Sequence, residues 1–308
     1  MDTFVDSSWY FFRFTDPKNE KEFASKERAE KWMPVDLYMG GAEHTVLHLM
    51  YARFFTKVLQ KLGYIGFGEP FATLRHQGMI LGEDNFKMSK SRGNVVNPDE
   101  LVEAYGADTA RVYVMFMGPL EDMKPWNSQN VSGAHRFLGR VWGLVEQLQK
   151  GEGEPTKEVL RKQHATIKKV TEDIQKLGYN TAIAALMEYV NTLYANPYGK
   201  AQIETLLTLL APFAPHITEE LWIQLGNKGS VHAQQWPAYD EALLVSDTVT
   251  IPVQVNGKVR AQLEVPVSIS EEELKEKALA EENVQKYLAG DEPKKVIVIP
   301  GKMVSVVV

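Results

Sequence analysis

The sequence predicts a multidomain protein: an α/β layer over residues 1–125, an all-α bundle over 126–245 and a small α+β unit over 246–308. Three observations carry this division. Strand-like apolar runs alternate with helical patterns in the first stretch. Helical periodicity alone fills the second. An Asn256-Gly257 turn between two alternating segments opens the third.

In the first stretch, residues 35–39 form a short apolar run that ends at Gly40-Gly41. Val46, Met50, Phe54, Val58 and Leu62 then fall four apart, which predicts one apolar stripe along a helix. Residues 71–81 are again strand-like. Asn97-Pro98-Asp99-Glu100 predicts a helix start, with Asn97 as cap, Pro98 at the first helical position and Glu100 placed to reach back. In the second stretch, 131–150 and 159–177 are amphipathic, while 181–194 and 203–225 are strongly apolar. Gly178, Pro197-Tyr198-Gly199, Pro212 and Pro215 punctuate them, and a helical bundle is the economical result. In the third, 251–255 and 259–265 flank the hairpin turn. An acidic helix is predicted over 270–288, followed by strands over 296–299 and 304–308, the last apolar enough to require burial.

A length of 308 residues allows two or three domains, and a composition 44% hydrophobic and 24% charged is that of a soluble globular protein. No run of about 18 uncharged apolar residues predicts a membrane span. The aromatic start lacks a basic n-region, which argues against a signal peptide. The absence of cysteine excludes disulfides and thiolate metal sites, and fits a reducing, cytoplasmic setting. In that setting the sequon Asn130-Val131-Ser132 is a chance match. The net charge of -6 gives no support to nucleic-acid binding, although binding depends on the field over a patch rather than on the total.

The sharpest local signal is Lys87-Met88-Ser89-Lys90-Ser91, followed by Arg92-Gly93-Asn94. Two lysines, small hydroxyls and a glycine on a loop suit a polyphosphate clamp, in which cations stabilise charge on a departing pyrophosphate. The alternative is a solvated surface loop. With Tyr105-Gly106-Ala107-Asp108-Thr109-Ala110-Arg111 after it, this region resembles the KMSKS region of class I aminoacyl-tRNA synthetases. Further blocks narrow the resemblance to leucyl-tRNA synthetases: Asp2 to Tyr10 (DTFVDSSWY), Gly40 to His48 (GGAEHTVLH), His76 to Leu81 (HQGMIL), Ala211 to Trp222 (APFAPHITEELW) and Val253 to Arg260 (VQVNGKVR). They fall in the expected order and extend over essentially the whole chain, including what the resemblance implies is a natural C-terminus.

The resemblance implies roles at matching positions. Lys87 and Lys90, with Ser89, hold ATP phosphates, and Lys90 is the stronger catalytic candidate. Backbone groups of Met79 and Ile80 meet the adenine edge. Gly40, Gly41 and Glu43 line the ribose, and His48 sits near the nucleotide. Phe4, Ser7, Tyr10 and His44 form part of the leucine pocket. From the residues alone, Phe4 and Tyr10 read equally as core aromatics. Glu43, His44 and His48 suggest zinc only weakly, because the order is not His-Glu-x-x-His and no third ligand is apparent. Arg136, Arg140, Lys162, Lys168 and Lys169 concentrate positive charge. Their plain reading is a solvated helix face, and the resemblance makes their bundle the anticodon-binding domain that packs beside the tRNA anticodon stem. Lys258 and Arg260 become phosphate contacts of a C-terminal tRNA-binding unit.

The resemblance further implies ATP with Mg2+, leucine and tRNA(Leu) as ligands. It assigns residues 1–125 to the second half of a Rossmann-like catalytic domain. The first half, with its His-x-Gly-His motif, and the editing domain have no match in this sequence. An N-terminal synthetase half or subunit is therefore an expected partner. Half a sheet also leaves an unpaired edge and uncovered apolar surface, so residues 1–125 alone are expected to be marginally stable or self-associating. The competing function is a non-catalytic tRNA- or protein-binding module derived from the enzyme.

Overall fold

The computed structural model describes residues 2–244, 248–266, 268–288, 293–299 and 301–308. The expected junction at 245/246 lies outside them. In the first stretch the helices α1 (Tyr10–Thr15) and α2 (Lys26–Trp32) precede strand β1 (Val35–Gly41), helix α3 (His48–Lys61) and strand β2 (Phe71–Gln77). The strands β1 and β2 pair in parallel, from Val35 opposite Phe71 to Gly41 opposite Gln77, with α3 as the crossover. Behind them Phe11, Phe12, Ala29, Met33, Ala52 and Ile65 form a small core. Aromatic rings lock it: Phe11 meets Phe71 edge-on at 5.2 Å, and Phe12 stacks on Phe67.

Two expectations change here. The strand expected over 71–81 breaks at Gly78-Met79, and a second short strand, β3 (Ile80–Leu81), follows. A Cβ at Gly78 would lie 1.9 Å from Asp122 O, so only glycine permits the crossing there. After two more helices, α4 (Pro98–Tyr105) and α5 (Ala107–Phe116), strand β4 (Lys124–Pro125) pairs with β3 in parallel. The layer is thus two separate two-stranded ladders. The second change concerns α3, whose buried face is Leu49, Ala52 and Thr56. The stripe of Val46, Met50, Phe54, Val58 and Leu62 is exposed, Val46 at 69% and Phe54 at 53%. Periodicity locates an apolar face but does not say what covers it.

The bundle comprises α6 (Ser128–Leu148), α7 (Lys157–Gln175), α8 (Tyr179–Ala195), α9 (Lys200–Leu210) and α10 (Pro215–Gln224). Along α6 the buried positions Val131, Ala134, Phe137, Leu138, Val141, Leu144, Val145 and Leu148 recur three and four apart, the signature of one core-facing side. The apolar segment expected over 203–225 is two helices, because Pro215 begins α10 at its first turn. Val112 and Tyr113 of α5 belong to the same core as the bundle. Asp108, itself 8% exposed, accepts from Ile217 N at 2.7 Å and from His216 N and Nδ1, at the N-terminus of α10. Arg111, one turn on, donates to Pro212 O and Phe213 O just past α9.

The last unit contains β5 (Thr248–Val255), β6 (Lys258–Pro266), α11 (Glu271–Ala280), α12 (Glu282–Leu288), β7 (Lys295–Ile299) and β8 (Met303–Val307). Asn256 and Gly257 take φ of 48° and 79°, the left-handed pair that a two-residue hairpin turn requires. The sheet order is β6-β5-β8-β7, so the apolar last strand is internal and Val304 and Val306 are fully buried. The acidic helix expected as one piece is two, α11 and α12, the first opened by a Ser270/Glu273 capping box. Among the described residues no helix is long and apolar enough to cross a membrane.

Two outcomes follow from this packing. Asp108→Ala leaves the first amides of α10 without their acceptor, and is expected to destabilise the bundle by about 2 kcal/mol. Urea unfolding followed by circular dichroism checks it, and an unchanged midpoint would contradict the capping role. Replacing Val46, Met50 and Phe54 with serine removes exposed apolar area without touching the core. Sedimentation velocity should then show less self-association than wild type at equal concentration, with the thermal midpoint unchanged.

Candidate functional site

A concave pocket of about 320 Å3 lies at the C-terminal ends of β1 and β2, where open α/β layers place their ligands. Phe4, Ser7 and Tyr10 contribute from the N-terminal segment; Tyr38, Met39, Gly40 and Gly41 from β1; His44, His48 and Leu49 from the turn into α3; Leu74 and His76 from β2. The lining is mostly apolar, with a few polar groups converging on it, which suits a small ligand with one apolar and one polar end.

A hydrogen-bonded chain crosses this pocket. Tyr10 Oη and Tyr38 Oη are 2.9 Å apart, and Tyr38 Oη is 2.7 Å from His48 Nε2. Tyr38 is stacked on Phe71 at 3.8 Å, which fixes its ring. Burial, with the hydrogen bond to Tyr10 second, pushes the Tyr38 phenol above its ordinary range. Burial, with nearby His44 second, holds the His48 imidazole below its own. The Nδ1 atoms of His48 and His76 are buried without a partner among the described residues, so two polar atoms remain to be satisfied. Ser7 Oγ donates to Phe4 O at 3.2 Å.

Of the residues proposed from sequence, Phe4, Ser7, Tyr10, Gly40, Gly41, His44 and His48 share this pocket. Glu43, Met79, Ile80, Lys87, Ser89 and Lys90 are not part of its lining. The Glu43 carboxylate folds back over Gly41, where a Cβ would lie 2.2 Å from its oxygen. Met79 and Ile80 sit where the chain passes from β2 to β3, and Met79 O accepts from Lys124 N at 3.1 Å. The lysines lie on the loop after β3, where Leu81 and Lys87 form an antiparallel bridge. Tyr38, Met39, Leu49, Leu74 and His76 had no role in the sequence reading. Tyr38 was recoverable, since it stands two residues before Gly40 and so on the same face of one strand. Glu43, His44 and His48 do not converge as ligands: no group of three such side chains among the described residues is placed to hold a metal ion.

Three of the seven cations expected on a nucleic-acid face pair with carboxylates of the chain. Lys162 pairs with Glu188 at 2.6 Å, Lys168 with Glu241 at 3.9 Å and Lys169 with Asp173 at 2.7 Å. Arg140 donates to Asn191 Oδ1 at 2.6 Å and lies over the Tyr194 ring, and Arg260 lies over Tyr287. Arg136 and Lys258 are exposed.

A depressed histidine gives a signed pH effect. Between the folded pKa of His48 and its ordinary value of 6.5, the unfolded chain binds a proton that the folded chain does not. Stability from this group is therefore complete above 6.5 and declines as pH falls through that window. An NMR titration should find the His48 imidazole titrating below 6.5, and a midpoint at or above 6.5 would contradict its burial against Tyr38.

Two family models match the chain: "tRNA synthetases class I (I, L, M and V)" over residues 1–125 and "Anticodon-binding domain of tRNA ligase" over 156–276. A leucine–tRNA ligase of Chlorobaculum tepidum is 49% identical, over 99% of this chain and 38% of its own length. In the ternary complex of Agrobacterium radiobacter K84 agnB2 LeuRS with tRNA and LeuAMS, the synthetase superposes with a TM-score of 0.75 at 37% identity. That match includes 100% of this chain and 41% of the other. A Mycobacterium tuberculosis methionyl-tRNA synthetase in complex with methionyl-adenylate shares the fold, with a TM-score of 0.53 at 18% identity over 69% of this chain and 47% of its own. The chain thus spans about two fifths of the leucine relatives it matches. It belongs to the class I aminoacyl-tRNA synthetases, as a homologue of the leucine enzymes along its whole length.

Proposed function

We propose that this chain serves a leucine–tRNA ligase as the part carrying the second half of the ATP and leucine site together with the tRNA-binding units. One observation supports this most: Phe4, Ser7, Tyr10, His44 and His48, named from the family resemblance, line a single pocket beside Gly40 and Gly41. In this reading residues 1–125 are half of a Rossmann-like catalytic domain, 126–245 the anticodon-binding bundle and 246–308 a tRNA-contacting unit. The setting is cytoplasmic.

The reaction has two steps. The carboxylate of leucine attacks the α-phosphate of ATP, giving leucyl-adenylate and pyrophosphate, and a hydroxyl of the terminal ribose of tRNA(Leu) then attacks the leucyl carbonyl, taking the leucyl group and releasing AMP. Phe4 and Tyr10 hold the apolar side chain, Ser7 and His44 border it, and Gly40, Gly41 and Glu43, whose carboxylate lies over Gly41, line the ribose. His48, whose pKa burial holds below its ordinary value, is oriented by Tyr38 and brings a hydrogen-bonding nitrogen near the nucleotide. Lys87 and Lys90, with Ser89, offset the charge that develops on the departing pyrophosphate, and Met79 and Ile80 present backbone to the adenine. Arg136, Arg140, Lys162, Lys168, Lys169, Lys258 and Arg260 meet the tRNA backbone. Mg2+ accompanies the ATP, held largely by phosphates and water, as is usual for this ion; among the described residues no group of three His, Asp or Glu side chains is placed to hold a metal ion.

The missing contacts come from a synthetase N-terminal half bearing His-x-Gly-His. The expected result is no leucine-dependent ATP–pyrophosphate exchange from the chain alone, and exchange on adding that half from a close relative. Lys90→Ala should then cost about 100- to 1000-fold in rate. Folded, associated halves that remain silent would sink the ligase reading in favour of a binding module.

A further inference from the structure

The loop between β3 and α4 consists of two turns joined by one side chain. In the first, Gly82 N donates to Phe86 O at 2.8 Å and Asn85 takes a left-handed φ of 62°. The second passes from Ser89 through a single 3-10 turn, Lys90–Arg92, to Gly93 at φ 68°. Asn94 links them with both ends of its amide. Its Oδ1 accepts from Ser89 N at 2.9 Å, and its Nδ2 donates to the two oxygens of Asp84 at 2.9 and 3.1 Å. Asp84 Oδ1 in turn accepts from Phe86 N at 3.1 Å. Arg92 lies 3.8 Å from Asp84 Oδ2 while stacking over the Phe86 ring. Gly82 is buried against the pair: a Cβ there would lie 2.8 Å from both Asn94 Nδ2 and Asp84 Oδ1.

We propose that Asp84 and Asn94 are positioning residues for the phosphate-binding lysines: their paired side chains fix the two turns between which Lys87 and Lys90 are carried. The proposal rests on the ligase reading of this loop. Lysines that merely solvate a surface need no fixed spacing, whereas cations acting on a departing pyrophosphate must be in place before its charge develops. The cross-link supplies that order. It ties Phe86, immediately before Lys87, and Ser89, immediately before Lys90, to a common anchor, and Gly82 leaves room for the anchor against the end of β3. Neither Asp84 nor Asn94 is required to touch the nucleotide, so their loss acts on kcat more than on the KM for ATP.

A reciprocal exchange separates this role from general stability. Asp84→Asn sets two amides face to face, and Asn94→Asp sets two carboxylates face to face. In the double variant the donor and acceptor trade places at unchanged net charge, and Phe86 N and Ser89 N keep their acceptors. Hydrogen exchange at the Phe86 and Ser89 amides of the 308-residue chain should accelerate about fivefold or more in Asn94→Asp, and return towards wild type in the double variant. With the N-terminal half added, each single variant should lose about 100-fold in kcat for ATP–pyrophosphate exchange, with the KM for ATP within about twofold of wild type. The double variant should recover most of that loss. Unchanged amide exchange, faster amide exchange with unaltered kcat, or no recovery in the double variant would each overturn the proposal. A silent wild-type mixture would instead sink the ligase reading, and the amide exchange with its rescue would then decide the role of the pair.

Discussion

Asp108 and Arg111 stand one turn apart on α5 and reach the ends of two different helices. The carboxylate meets the first amides of α10, and the guanidinium meets the carbonyls just past α9. The carboxylate opposes the partial positive charge at the N-terminus of α10, and the guanidinium ties down the turn that joins α9 to α10, so one short segment fixes that junction. Asp108 can be buried because its oxygens receive backbone amides and the His216 ring. The bundle's position relative to the α/β layer depends on this arrangement, since α5 also inserts Val112 and Tyr113 into the bundle core. A second carboxylate acts in the same way, as Glu83 accepts from Ser128 N at 2.9 Å at the start of α6. Glu83 belongs to the lysine-bearing loop, so the bundle supports that loop at its root and again beyond α4.

The α/β layer is built less completely. Its own core is a small aromatic cluster behind β1 and β2, whereas the bundle buries a continuous apolar interior. The β1–β2 and β3–β4 ladders each have only two strands. Exposed Val46, Met50 and Phe54 on α3 and exposed Leu37, Met39 and Leu74 on the strands give this layer an apolar surface of the sort that normally has a partner. The same layer holds the buried Nδ1 atoms of His48 and His76, which have no partner among the described residues. In the ligase reading one missing half answers both, by completing the sheet and closing the pocket.

What was legible in the sequence was local. The Asn256-Gly257 turn, the Asn97 cap with Pro98 behind it, and the spacing of buried residues along α6 depend on neighbours a few positions away. The break of 71–81 at Gly78 was not legible, because the atom that forbids a side chain there belongs to Asp122. Nor was the orientation of α3, because its stripe of Val46 to Leu62 is the face without a cover. At the site, seven of the residues named from the family blocks line one pocket, whereas Tyr38 and His76, which line it too, were given no role. Their place comes from the parallel pairing of β1 with β2, a contact across the crossover helix that no single window of sequence contains.

The acidic partners of the lysines were hidden for the same reason, since Glu188 and Glu241 are distant in sequence from Lys162 and Lys168. Their pairing does not disqualify these lysines from meeting an RNA. Exposed ion pairs contribute only about 0–1 kcal/mol, and salt screens them. A phosphate backbone presents a dense line of negative charge and releases counterions when it is neutralised, a larger gain than one surface carboxylate offers. In free protein, then, the pairs hold the long side chains on the helix faces and limit non-specific attraction by a chain of net charge -6. In the ligase reading, the lysines exchange partners at small cost against a correctly shaped polyanion, and shape rather than bulk charge decides what the bundle binds.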